Sequence, residues 1–171
     1  MEAHPLTTNE MADLIDFAAL QQVLGDLAKD IRAGYREELE RNDRYTTERG
    51  LIDSVQTRVI AGEKEYLVTM SLRDYWKYVE DGTRPHWPPV SAIQRWVEIK
   101  PVLPRPMDNG KLPTPKQLAF LISRKISRVG TEGSHDLAKT KDAIIPAYLE
   151  RISAALGRDM ENYIRKVVAG K

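Results

Sequence analysis

The sequence predicts an α+β fold: a long N-terminal helix, a β-hairpin in a small antiparallel sheet, and three further helices. Three observations carry that prediction. Apolar residues recur at threes and fours from Asp16 to Asp43, the period drops to two between Val55 and Leu72, and helical spacing then returns in three later segments. Strand patterns are confined to one stretch, so a parallel sheet with alternating crossovers is not expected. There is no internal repeat and no low-complexity tract.

In the first segment Leu20, Val23, Leu24, Leu27, Ile31, Tyr35 and Leu39 share one face, charge fills the other positions, and Asp16 stands where an N-cap belongs. Residues 1–15 before it read as a flexible tail. The hairpin follows. Val55, Thr57 and Val59 alternate with Gln56 and Arg58, and Tyr66, Val68, Met70 and Leu72 alternate with Leu67, Thr69 and Ser71, with a turn from Ala61 to Glu65. An isolated hairpin is marginal in water, so it must meet further strands, lie under helices, or extend a sheet in another subunit.

A short helix, Val90 to Lys100, places Val90, Ile93, Trp96 and Val97 on one face and ends at Pro101. Residues 101–113 hold four prolines and an Asn-Gly pair, the composition of a mobile loop without a core of its own. Thr114-Pro115-Lys116-Gln117 then forms a capping box with proline at the first helical position. Leu118, Leu121, Ile122, Ile126 and Val129 follow at helical spacing up to Gly130. The last helix is expected from about Pro146 to Val168, with Tyr148, Leu149, Ile152, Ala155, Leu156, Met160, Tyr163, Ile164 and Val167 as its apolar face.

The chain of 171 residues is of a size for one domain spanning 1–171 with a proper core. Lys and Arg number 26 against 25 Asp and Glu, which leaves no electrostatic footprint of a duplex-DNA binder. Cysteine is absent, so disulfides, thiolate metal sites and thiol nucleophiles are excluded, as suits a chain made in a reducing cytoplasm. No apolar run approaches the roughly 20 residues that span a bilayer, and the acidic N-terminus lacks the pattern of a signal peptide, so no membrane is expected as a partner.

Chemistry-bearing patterns are scarce. His4, His86 and His135 lie on a tail and two loops, not at the spacing that turns two ligands toward one metal. The stretch VGTEGSHD has no Lys-Ser or Lys-Thr to hold a phosphate and reads as a turn between helices. Ser134 lies in no nucleophile elbow, and the paired acids Glu37–Glu38 and Glu63–Glu65 fall on a helix surface and a turn, where they are solvated. Arg124, Lys125 and Arg128 sit at a helix C-terminus, where the dipole favours cations. No catalytic residue, metal ligand or cofactor is assigned, and no enzyme is expected.

The distinctive stretch is YVEDGTRPHWPP, residues 78–89. Tyr75, Trp76 and Tyr78 precede a turn at Asp81-Gly82, and Pro85, Pro88 and Pro89 stiffen the backbone around His86 and Trp87. Rigid loops bearing Tyr and Trp suit an interface, because such side chains bury large area at small ordering cost. Equally, Trp87 and Trp96 would serve to close the core over the short helix.

With its flanks, this stretch, YWKYVEDGTRPHWPPVSAIQRWV, resembles the tail-completion proteins of lambda-like tailed phages, which are also described as minor tail or head-to-tail joining proteins. In that family a Tyr-x-x-Tyr-Val-Glu-x-Gly-Thr turn precedes a Pro-His-Trp-Pro-Pro segment and a short helix. The likeness continues into AFLISRKISRVGTEGSHDL, with its second Gly-Thr turn, and spans roughly residues 75–137. Asp81 departs from the apolar or aromatic residue usual before Gly-Thr, and SHDL departs from the more usual Pro-Phe-Leu.

The resemblance implies a structural virion protein at the head-tail junction, made in the bacterial host cytoplasm and assembled as a homo-oligomeric ring. Its partners would be further copies, the head-completion or connector proteins, and the tail tube or tail terminator, close to the DNA channel. Tyr75, Tyr78, Gly82, Thr83, Pro85, His86, Trp87, Pro88 and Pro89 are the interface candidates on the loop, and Tyr66, Val68 and Met70 those on a hairpin extended across a ring. The alternatives are a tail terminator of the same neck, and a nucleic-acid-associated or regulatory module using Arg124 to Arg128.

Overall fold

The computed structural model describes residues 15–42, 50–62, 65–100, 102–108 and 110–169. The elements are α1 (Ala18–Arg41), α2 (Leu51–Ser54), β1 (Gln56–Ala61), β2 (Tyr66–Ser71), α3 (Trp76–Glu80), β3 (Gly82–Thr83), α4 (Val90–Ile99), α5 (Pro115–Val129), β4 (Thr131–Glu132) and α6 (Asp136–Val168). The protein is α+β as expected, with a long N-terminal helix and a small antiparallel sheet. Two one-turn helices and a second two-stranded ribbon are additional to the expected elements. The chain divides into two compact units, one formed by residues 1–37, 55–71 and 138–171, the other by 38–54 and 72–137.

In the first unit α1 packs along α6. Leu20, Val23, Leu24, Leu27 and Ile31 form a core with Tyr148 and Ala155, and Gly34 lets the helices approach: a Cβ there would stand 3.0 Å from Ile144 Cδ1. Burying each Leu or Ile contributes about 1.5–3 kcal/mol. The helix opens at Phe17, whose carbonyl accepts from the Gln21 N–H, and not at Asp16. Its first free amides are met from far away: Ala19 and Leu20 N–H donate to the two Asp159 carboxylate oxygens at 3.0 and 2.9 Å. The expected end at Asp43 lies outside the described residues.

The hairpin covers this core. Val59, Tyr66, Val68 and Met70 pack against it, while Ile60 and Leu67 are exposed, as alternation dictates. Of the three fates open to the hairpin, lying under helices is the one seen within the chain. The register pairs Gln56 with Ser71 through Ala61 with Tyr66, and Gly62 N–H donates to the Glu65 carbonyl at 2.8 Å. Hydrogen-bonded pairs alternate from that point, so Leu67, Thr69 and Ser71 hold the ladder, whereas Tyr66, Val68 and Met70 turn their backbone N–H and C=O to the outer edge.

The final helix starts ten residues earlier than expected and runs through Pro146. Proline removes one helical hydrogen bond, normally accepted by the Asp142 carbonyl, at a cost of about 3 kcal/mol. Both residues are on the solvent side, where water replaces the lost partner, and Ile144 and Tyr148 hold the helix to α1 on either side of the break. The expected apolar face also divides. Tyr148, Ile152 and Ala155 turn to the core, but Leu149, Leu156, Met160, Ile164 and Val167 are exposed.

Tyr148 donates its hydroxyl to the Asp30 carboxylate, with the Arg151 guanidinium 4.3 Å from its ring centre. Burial first, and this hydrogen bond second, raise its pKa above the ordinary 10.0. A raised folded pKa means that the neutral phenol is favoured in the native state. The contribution is complete below the unfolded value and is lost as pH climbs through the folded one. Urea unfolding above about pH 10 will therefore show Tyr148→Phe losing less stability with pH than the wild type; identical alkaline slopes would refute the coupling.

In the second unit α4 packs against α5. Thr114 caps α5 as expected: its Oγ1 accepts the Gln117 N–H at 3.3 Å and Gln117 Oε1 accepts the Thr114 N–H at 2.9 Å. The buried residues of α5 are Ala119 and Ser123, while Leu121 and Val129 of the expected stripe are exposed. The proline-rich segment has no helix or strand among its described residues, and Gly110 turns it at φ 73° between Met107 and Lys111.

Candidate interaction surface

The two Gly-Thr turns lie 48 residues apart in the chain and form one structure. Gly82 pairs with Glu132 and Thr83 with Thr131, so β3 and β4 make a short antiparallel ribbon, and the two threonine hydroxyls meet at 2.9 Å. Glycine is required on both sides. Gly82 has φ 76° and Gly130 φ 73°; a Cβ on the first would stand 2.1 Å from the Thr131 carbonyl oxygen, and on the second 1.9 Å from that of Thr83. Gly133 completes the crossing, since its Cβ would fall 2.1 Å from the Glu80 carbonyl oxygen.

Glu80, at the end of α3, is buried and bonds to the start of α6: its Oε2 accepts the Leu137 N–H at 2.9 Å, and its carbonyl accepts from His135 N–H. A carboxylate at a helix N-terminus satisfies a free amide and is favoured by the dipole. Ser134 N–H and hydroxyl both donate to the Val79 carbonyl. Asp136 is buried and accepts from Asn42 Nδ2 at 2.7 Å. The stretch read as a helix-to-helix turn is thus a turn that also holds a strand, and the His135-Asp136 pair is a helix start. Glu80 thus holds backbone in place, and Asp136 holds a side chain.

Upon this frame the loop presents its aromatic residues. Tyr78 is 65% exposed and Trp87 52%; the Trp87 ring stands edge-on to Phe120 at 5.8 Å. The loop is pinned by the His86 N–H, which donates to the Ile126 carbonyl, by the His86 Nδ1 contact with the Arg84 carbonyl, and by the buried Pro88. Trp87 therefore rests on α5 with half its surface open, and does not close a core. Tyr75, Pro85 and Pro89 are exposed, Gly82 and Thr83 half-buried in the ribbon. Tyr66, Val68 and Met70 belong to the other unit, with side chains turned to its core.

The chain matches no family model, no curated protein and no solved structure. What the surface does must come from its own chemistry.

Sequence reasoning missed the groove between α4 and α5. It has a volume of about 670 Å³ and is lined by Ile93, Trp96, Ile122, Ile126 and Val129, with Lys125 on its wall and Glu132 of β4 at its edge. The signal was present in the two apolar stripes, whose spacing does not say that they border one trough. Among the described residues no cluster of His, Asp and Glu is placed to hold a metal ion, and no helix is long and apolar enough to cross a membrane. His4 lies outside the described residues.

Proposed function

We propose that this chain is a structural, non-enzymatic subunit of a tailed-phage neck, joining the tail to the head connector as a ring of identical copies. The observation that supports this reading is the ribbon of Gly82-Thr83 and Thr131-Glu132. Both Gly-Thr turns of the resemblance meet in it, and the buried acid beside it, Glu80, caps backbone. The motif is accounted for as a frame that holds Tyr78 and Trp87 outward, which is what a docking loop needs. Deleting the gene and examining the lysate by electron microscopy tests the role: filled heads beside complete, unattached tails are expected, and normal virions would refute it.

In this reading the outer edge of β2 pairs with a strand of a neighbour. From the alternation, Val68→Pro leaves the hairpin ladder intact and removes a donor only from the outer edge. Leu67→Pro, by contrast, breaks the ladder. Val68→Pro is expected to melt near the wild-type temperature yet to reduce virion yield by at least tenfold, about 1.4 kcal/mol or more of assembly free energy. Normal yield from a folded Val68→Pro chain would remove the edge from the contact.

A further inference from the structure

We infer that the exposed face of α6 seats in the α4–α5 groove of a second copy, a head-to-tail contact between unlike surfaces. Leu149, Leu156, Met160, Ile164 and Val167 succeed one another at seven, four, four and three residues. At about 100° per residue they fall within about 60° of one line along five turns of helix. All are between 40% and 63% exposed. They present on the order of several hundred Å² of apolar surface, more than a single scattered residue and enough for the centre of an interface of about 800 Å² per partner.

Groove and ridge match in kind and in charge. The groove is an open apolar trough between two helices, the shape that takes an amphipathic helix through anchors at i, i+4 and i+7. Helix α5 carries Lys116, Arg124, Lys125 and Arg128 and no acid, and Lys125 lines the groove. The α6 face is flanked by Glu150 and Glu161 on one side and by Lys166 on the other; Glu161 also holds Arg165 at 2.7 Å. Ridge in groove, in the direction that brings Glu150 and Glu161 to α5, sets acid toward the basic wall. Two α6 faces packed antiparallel would instead set the Glu150 and Glu161 flank against itself.

Each copy offers one ridge and one groove, so the contact propagates and closes into a ring or extends as a filament according to its rotation. It deepens the ring reading and rests on its self-association, but its test needs no virion, so the head-to-tail contact and the neck role fail separately. Two variants are made at exposed positions: Leu149→Lys with Ile164→Lys on the ridge, and Val129→Lys in the groove. Thermal melts confirm that each is folded. Sedimentation velocity of the full chain up to on the order of 1 mM then reads association, a range that detects even weak contacts.

The wild type is expected to form dimers, trimers and larger species, and each variant alone to stay monomeric. An equimolar mixture should form dimers and nothing larger, because one good ridge meets one good groove. A wild type that is monomeric throughout, a mixture that stays monomeric, or a groove variant that still associates through α6 on α6 would each overturn the contact.

Discussion

Gly130→Ala is expected to cost roughly 4 kcal/mol of folding free energy, a large share of the 5–15 kcal/mol that holds a domain together. Gly130 ends α5 at φ 73° and ψ −156°, a region open in practice to glycine alone and worth about 1–3 kcal/mol of strain for any other residue. Strain is only part of the effect. The new Cβ would stand 1.9 Å from the Thr83 carbonyl oxygen, which is backbone and has no rotamer by which to escape. The β3–β4 ribbon must open or α5 must shift, and either change moves the loop bearing Trp87. Urea unfolding of the variant beside Gly157→Ala makes the comparison. Gly157 lies inside α6 with nothing within 4 Å of a Cβ, so alanine there should stabilise by about 0.5–1 kcal/mol. A Gly130→Ala loss below about 1 kcal/mol would mean that the crossing is not tight.

Asp159→Ala is the second large effect, about 2–3 kcal/mol. Asp159 is 3% exposed and accepts the Ala19 and Leu20 amides at the start of α1. Removing it strands both donors, one of them on a buried residue, and takes a negative charge from a helix N-terminus. Asp159→Asn keeps a single acceptor oxygen and should fall between the two. Hydrogen exchange gives the specific readout: the Ala19 and Leu20 amides should exchange much faster in the alanine variant, while amides in the middle of α1 follow global stability. Unchanged exchange at those two amides would show that the carboxylate does not cap the helix.

These two sites also explain how far the sequence could be read. The start of α5 was legible because Thr114, Pro115 and Gln117 lie within one turn, and their side chains have no choice but the nearby amides. The starts of α1 and α6 were not, since their acceptors, Asp159 and Glu80, come from 139 and 57 residues away. No local pattern separates such an acid from a solvated one. Local spacing therefore points to Asp16 where the structure uses Asp159, and to a start at Pro146 where packing on α1 carries the helix through that residue.

The candidate surface divides in the same manner. Gly82 and Gly130 announce turns by themselves, and Trp87 between prolines announces a stiff loop. That the two turns clasp each other was hidden, because a two-residue strand has no period to detect. The α6 and α5 stripes were visible as apolar periodicity, but periodicity does not say whether a face meets its own chain or another molecule. About half of the α6 face is open, as are Phe120, Leu121 and Val129 of α5.

From the residues alone follow the class of fold, the hairpin and its alternation, the three main later helices, and the lack of any familiar catalytic pattern. All are consequences of spacing within a few residues, where hydrophobic burial and backbone geometry act locally. Only the tertiary structure decided which acids cap which helices, which glycines touch, and which apolar faces remain uncovered. Those depend on contacts between segments tens to hundreds of residues apart, whose free energy appears only once the chain has brought them together.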